Sequence, residues 1–128
     1  MSKNKPLINV SRDDHEELID LALKGLGRAP GASLLLQEMQ RAKVAPNGPT
    51  PSHVLAMHDH ATFVYDGSTY RDYQLVYPTS ANFDAGRISV LTPVGAALIG
   101  LAEEDEITWA DERGGEHHLK LMQVRRAH

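Results

Sequence analysis

Apolar positions along the chain follow two periods. Between residues 11 and 43 they recur at helical spacing, and from residue 61 onward they alternate as in strands. The first helical stretch opens at Ser11, where a hydroxyl followed three residues later by Asp14 resembles a capping box, and Glu16 and Glu17 add negative charge near the positive helix end. Leu18, Ile19, Leu21, Ala22, Leu23 and Leu26 form a broad apolar stripe, and this helix is expected to end near Gly25 or Gly27. Residues 25–31 hold too many breakers for a helix, whereas residues 33–43 are rich in helix formers and carry Leu35, Met39 and Ala42 on one face. Two helices joined by a short loop predict an antiparallel hairpin.

Before the hairpin, Pro6, Leu7 and Ile8 are expected to lie extended against another part of the chain. After it, Pro46, Asn47, Gly48, Pro49 and Pro51 permit no regular element, so residues 46–52 are read as a linker. This divides the chain into a helical hairpin over residues 1–45, the linker, and a sheet domain over residues 53–128.

Residues 62–65 and 70–77 are β-prone and flank the turn signal Asp66-Gly67-Ser68, which predicts an antiparallel hairpin ended by Pro78. Residues 107–110 and 118–124 predict a second hairpin around Gly114 and Gly115. Its Leu119, Leu121 alternation does not continue cleanly to Val124, a sign of a bulge. Between these hairpins stands the most informative stretch, residues 88–100. A short aliphatic run, read as the central strand of the sheet, stops at Thr92-Pro93, where Thr92 can cap a helix and Pro93 suits its first position. Val94, Ala97, Leu98 and Leu101 then give one apolar face, with Gly100 at the C-terminal cap. The expected fold is α+β: a helical hairpin followed by a mostly antiparallel sheet with one short helix.

The 128 residues suit one compact unit, or one domain with a small appendage. With no cysteine, a disulfide framework, a thiolate zinc site and a cysteine nucleophile are all excluded. No basic leader with an apolar stretch opens the chain and no apolar run is long enough for a bilayer span, so a cytoplasmic protein without membrane contact is expected. A net charge of −4 argues against strong binding of free nucleic acid, which needs many Lys and Arg on the phosphates.

The stretch around Pro93 carries a resemblance. A strand running into Thr92-Pro93-Val94-Gly95, small residues and Leu98-Ile99-Gly100, then the acidic residues Glu103, Glu104, Asp105 and Glu106 before Ile107-Thr108-Trp109, resembles the C-terminal domain of the bacterial transcript-cleavage factors GreA and GreB. Leu75-Val76-Tyr77-Pro78 followed by residues 93–101 extends the match to a shorter branch of that family, the regulators of nucleoside diphosphate kinase called Rnk. The resemblance implies an FKBP-like fold for the sheet domain and an antiparallel coiled coil for the hairpin.

It also implies RNA polymerase as partner. In the family the sheet domain anchors on a helical rim at the mouth of the polymerase secondary channel. Thr92, Pro93, Val94 and Gly95 at the corner, with Asp84 on the preceding loop, are the implied docking residues. Cleavage factors present two acidic residues at the coiled-coil tip that help hold a catalytic magnesium, since Mg²⁺ takes hard oxygen ligands. Here the tip, with Gly27, Arg28, Ala29 and Pro30, holds no Asp or Glu, and helices of ~15 residues make a hairpin of only about 20 Å. The expectation is a regulator, not an enzyme, that occupies the channel without stimulating cleavage and needs no cofactor. A plainer reading is that the hairpin packs on the sheet or mediates self-association, and that Pro93 and Gly95 only shape the helix start.

Two rival functions remain open. One is control of nucleoside diphosphate kinase, direct or through transcription, as the Rnk name suggests. The other is FKBP-like prolyl isomerisation, which depends on an aromatic pocket, against which stands a chain with one Trp, two Phe and four Tyr. Trp109 is expected to be a core or edge residue of its strand. His58 and His60, at i and i+2, would share a face on a strand, whereas His117 and His118 would point to opposite faces. Without cysteines or carboxylates at ligand spacing beyond Asp59, solvated histidines are the expectation and no metal site is assigned. The run Glu103 to Glu106 is expected to be a solvated turn.

Overall fold

The computed structural model describes residues 6–45 and 50–127. Pro46, Asn47, Gly48 and Pro49 of the expected linker lie outside the described residues. In chain order the elements are β1 (Asn9–Ser11), α1 (Arg12–Gly25), α2 (Ala32–Arg41), β2 (Lys43–Ala45), β3 (His60–Tyr65), β4 (Ser68–Val76), β5 (Arg87–Ser89), α3 (Pro93–Leu98), β6 (Glu106–Ala110) and β7 (Glu116–Arg125). Mixed α+β architecture is therefore present, with three helices and a five-stranded sheet.

The sheet runs in the order β5-β4-β3-β7-β6, antiparallel except for the β4–β5 pair. Residues 88–91, expected at the centre, instead overlap the edge strand β5 only at Ile88 and Ser89, and β3 occupies the centre. The reason lies in burial. Ala61 and Phe63 of β3 are fully enclosed and need neighbours on both sides, whereas only three residues of β5 pair before the chain turns to α3.

Two bulges shape the sheet. Thr62 pairs with Gln123 but Phe63 with Leu121, so Met122 is an extra residue in β7 where the broken alternation pointed to one. Ala61 pairs with Tyr73 but Phe63 with Tyr70, which puts a second extra residue in β4. Asp72, at that bulge, has φ 59° and its amide donates to Thr62 Oγ1 at 3.0 Å.

The helices form an antiparallel pair: the ring of His15 near the start of α1 bonds the carbonyl of Met39 near the end of α2 at 2.8 Å, and Gly25 at the end of α1 lies against Ala32 at the start of α2. Ser11 caps α1 by accepting from the Asp14 amide at 3.2 Å. At the base, β1 and β2 form a small parallel sheet that the residue types alone did not reveal. Lys43, expected at the end of the second helix, belongs to β2 instead. Ile8 is the buried residue of the expected extended segment, seated against Gly100, while Leu7 points to solvent.

Hairpin and sheet share one core. Leu18, Ala22, Leu35 and Met39 pack in the same cluster as Leu98, Ile99, Leu119 and Leu121, and each leucine, isoleucine or methionine there contributes about 2 kcal/mol by leaving water. The hairpin consequently lies along the body. Tyr77 after β4 donates its hydroxyl to Glu17 at 3.0 Å near one end, and the Gly31 amide donates to the Leu91 carbonyl at 2.7 Å at the other.

Candidate functional site

The corner between β5 and α3 is locked by its own hydroxyls. Thr92 Oγ1 donates to the Ser89 carbonyl at 2.7 Å and accepts from the Gly95 amide at 3.1 Å, and Ser89 Oγ accepts from the Leu91 amide at 3.0 Å. Thr92 is the helix N-cap and Pro93 follows in the first turn. Gly95 is buried, and a β-carbon on it would stand 2.1 Å from the Ser89 carbonyl oxygen, so α3 can approach β5 only with glycine there. Thr92, Pro93 and Val94 stay partly accessible.

Those three residues form one wall of a cleft of about 360 Å³, and Phe63, Tyr70 and Phe83 form another. The rings are coupled to one another. Phe63 stacks on Tyr70 with centroids 5.2 Å apart, Tyr73 lies 5.1 Å from Phe83, and Tyr70 meets Tyr73 edge-on at 5.7 Å. Phe83 is 54% exposed, a large apolar surface left to solvent on the rim. Asp84 follows it in the short 3₁₀ turn Phe83–Ala85, exposed, and that turn is held by Asn82, whose side chain accepts from the Ala85 amide at 3.2 Å.

The hairpin tip reaches the same corner. Besides the bond from Gly31 to Leu91, a β-carbon on Gly31 would lie 2.3 Å from the Thr92 carbonyl carbon, so the two backbones are in direct contact. Gly27, Arg28 and Pro30 face solvent and Ala29 is half-buried. A second cleft, of about 730 Å³, opens between Pro30, Leu34 and Gln37 of the hairpin and Trp109, Asp111 and Arg113 of the sheet. Pro93 lines both clefts, so it stands where the corner, the aromatic groove and the tip meet.

The histidines are differently placed. His58 precedes β3 with φ 74° and rests its ring on Tyr77, so it does not share a strand face with His60, and the Nδ1 of His60 is buried without a partner. His117 and His118 do point to opposite faces: His117 sits between Asp66 and Asp111, and His118 meets Glu106 at 2.6 Å. Among the described residues no three His, Asp or Glu side chains are grouped to hold a metal ion, and no helix is long and apolar enough to cross a membrane. The acidic run is more than a solvated turn, because Glu103 accepts from the Val124 amide at 2.8 Å, Asp105 caps the Ala102 amide at 3.2 Å, and Glu104 has φ 76°.

The aromatic cleft is what residue patterns missed. Phe63 and Tyr65, two apart on β3, share a face, whereas Tyr70 and Tyr73, three apart, would fall on opposite faces of a regular strand, and the β4 bulge rotates them together. Trp109 is buried on the edge strand β6, stacked on Tyr65 at 6.0 Å.

A family model described as "Transcription elongation factor, GreA/GreB, C-term" matches residues 50–126. The "Regulator of nucleoside diphosphate kinase" of Escherichia coli (strain K12) is 34% identical over 128 residues, spanning 97% of this chain and 91% of that protein. The "Transcription elongation factor GreA" of Chlorobaculum parvum is 40% identical over 53 residues, 41% of this chain and 33% of that protein. Among solved structures, the "Prokaryotic transcription elongation factor GreA/GreB from Nitrosomonas europaea" superposes with a TM-score of 0.69 at 33% identity, covering 95% of this chain and all of that one.

Proposed function

Because the chain belongs to the GreA/GreB family, we propose that it is a regulator of transcription elongation that binds RNA polymerase at the mouth of the secondary channel and does not stimulate transcript cleavage. In this reading β3 to β7 with α3 are the counterpart of the family's FKBP-like domain, α1 and α2 of its coiled coil, and residues 46–52 the linker. The observation that carries the proposal is the position of Pro93, shared by the aromatic cleft and the cleft under the hairpin tip. A partner helix laid across this surface would meet Thr92, Pro93, Val94 and Phe83 as apolar contacts and Asp84 as a charge on the rim, the usual division between the centre and edge of an interface. Gly95 serves by letting α3 close on Ser89.

The absence of cleavage follows from tip chemistry. Residues 25–32 carry no carboxylate, so nothing there can hold a second Mg²⁺ beside a reacting phosphate. A tip bonded to Leu91 also does not project as a free rod. The protein acts by covering the channel mouth and competing with longer factors, and no covalent chemistry is assigned to it.

Titration of labelled protein with core RNA polymerase tests this. Saturable binding that purified GreA displaces and that Pro93→Ala/Val94→Asp weakens, without trimming of stalled transcripts, is the expected result. Lack of binding at concentrations that saturate a micromolar complex would overturn it.

Two alternatives each have a specific observation behind them. The near full-length relative is named a regulator of nucleoside diphosphate kinase, and a direct action on that kinase would change its turnover with purified proteins and no polymerase present. The clustered rings of the 360 Å³ cleft give prolyl isomerisation a pocket of suitable character, and turnover of a proline peptide separates it from both.

A further inference from the structure

His117 on β7 is held between two carboxylates from different turns. Its Nδ1 lies 2.7 Å from Asp66 Oδ2, in the β3–β4 turn, and its Nε2 lies 2.9 Å from Asp111 Oδ2, in the β6–β7 loop. Ionised carboxylates only accept hydrogen bonds, so both contacts are satisfied only when both ring nitrogens carry a proton. Each carboxylate is anchored by its other oxygen: Asp66 Oδ1 accepts from the His118 amide at 2.8 Å, and Asp111 Oδ1 from the Arg113 and Gly115 amides at 2.9 and 2.8 Å. The ring therefore bridges a carboxylate fixed within the β6–β7 loop and a carboxylate whose turn is fixed to β7 through His118.

We propose that His117 is a proton-operated clasp which, in its imidazolium form, joins the β3–β4 turn to the β6–β7 loop and sets the position of Tyr65 in the aromatic cleft. The connection to the cleft is the Tyr65 hydroxyl, 3.2 Å from Nδ1, since Tyr65 also lines that cleft. When the ring loses a proton, the lone pair falls on Nδ1, because Tyr65 can turn its hydroxyl proton onto that nitrogen and, among the described residues, no comparable donor faces Nε2. Asp66 Oδ2 then loses its partner, while Nε2–H keeps Asp111. The ring releases the Asp66 carboxylate oxygen while the β3–β4 turn keeps its two bonds to the His118 backbone, and the β6–β7 loop, whose Asp111 and Arg113 wall the cleft under the hairpin, stays bound to His117.

The surroundings agree with this assignment. Asp66 and Asp111 raise the affinity of His117 for its proton above that of an ordinary imidazole, and they outweigh its partial burial. His117 in turn holds the Asp111 carboxyl below the usual carboxylate range. Burial pushes Asp66 up, but the His118 amide and the His117 ring together bring it lower. From the other elements against the ring come Tyr65 of β3 and Trp109 of β6, and the neighbouring His118 is occupied by Glu106 on the opposite face. The device is independent of which partner the cleft receives.

Trp109 is the one tryptophan of the chain and stacks on His117 with centroids 5.5 Å apart, which provides the readout. An imidazolium in contact with indole quenches its fluorescence far more than a neutral ring does. Emission of the full-length protein should rise with pH at a midpoint above 6.5, the ordinary imidazole value, and ¹⁵N spectra of the ring should show both nitrogens protonated below that midpoint and Nε2 alone above it. Asp111→Asn and Asp66→Asn should each lower the midpoint, and His117→Gln should abolish the transition, with circular dichroism confirming that the variants are folded. A wild-type midpoint at or below 6.5, protonation on Nδ1 in the neutral form, or persistence of the transition in folded His117→Gln would each overturn the proposal.

Discussion

Gly31 at the hairpin tip and Thr92 at the helix corner are in backbone contact, so close that a β-carbon on Gly31 would stand 2.3 Å from the Thr92 carbonyl carbon. Because that neighbour is backbone and not a flexible side chain, nothing can swing aside. Gly31→Ala must move the tip, break the bond from the Gly31 amide to Leu91, and lower stability by about 1–3 kcal/mol, the usual range for overpacking. Urea denaturation gives the loss, and the amide of residue 31 should exchange with solvent much faster in the variant.

A second long-range contact joins Arg126 to the end of the linker and the segment after it. Arg126 donates to the carbonyls of Thr50, Pro51 and Val54 and lies 2.9 Å from Asp59, which is 2% exposed. Arg126→Ala leaves that buried carboxylate without its cation and should cost about 3 kcal/mol. Arg126→Lys restores charge without the planar fork, so denaturant midpoints should show only partial recovery.

Stability should also vary with pH in a defined direction. His117 binds its proton more tightly folded than unfolded, so its contribution is full below about 6.5 and is lost as the pH rises through the higher folded value. Asp66 and Asp111, and Asp72 beside Arg125, bind protons less tightly when folded. Their contributions are present above about 3.8 and are lost as the pH falls. Asp14, raised by burial, opposes that acid limb in part. Urea midpoints should therefore be highest between about 4 and 6.5 for this set of groups. In His117→Gln the decline above that window should flatten.

Phe83 separates binding from folding. It is more than half exposed, so Phe83→Ala should change stability by no more than about 0.5–1 kcal/mol. It also removes the exposed part of one wall of the aromatic cleft. If this surface receives the polymerase, affinity should fall about tenfold with the melting temperature nearly unchanged. Unchanged affinity would assign the contact to Pro93 and the tip alone.

Local chemistry was legible residue by residue. The Ser11 cap, the Thr92 cap with Pro93 after it, Gly100 at φ 82°, the Asp66-Gly67 turn and the β7 bulge all depend on groups a few positions apart, and each was readable from spacing. The family resemblance rested on the same short-range patterns around Pro93.

What only the tertiary structure decided lies between distant residues. Edge placement of β5 depended on which strand needed burial on both sides. The β4 bulge turned Tyr70 and Tyr73, three apart, onto one face, and so made a cleft from rings too few to suggest one. The parallel pairing of β1 with β2, the contact of Gly31 with Thr92 and the clasp of His117 between Asp66 and Asp111 join segments about thirty to sixty positions apart. No local propensity encodes such a meeting. It arises because the apolar stripes of the hairpin and the sheet must close on a common core, and the polar groups at the rim then take the partners that closure brings within reach.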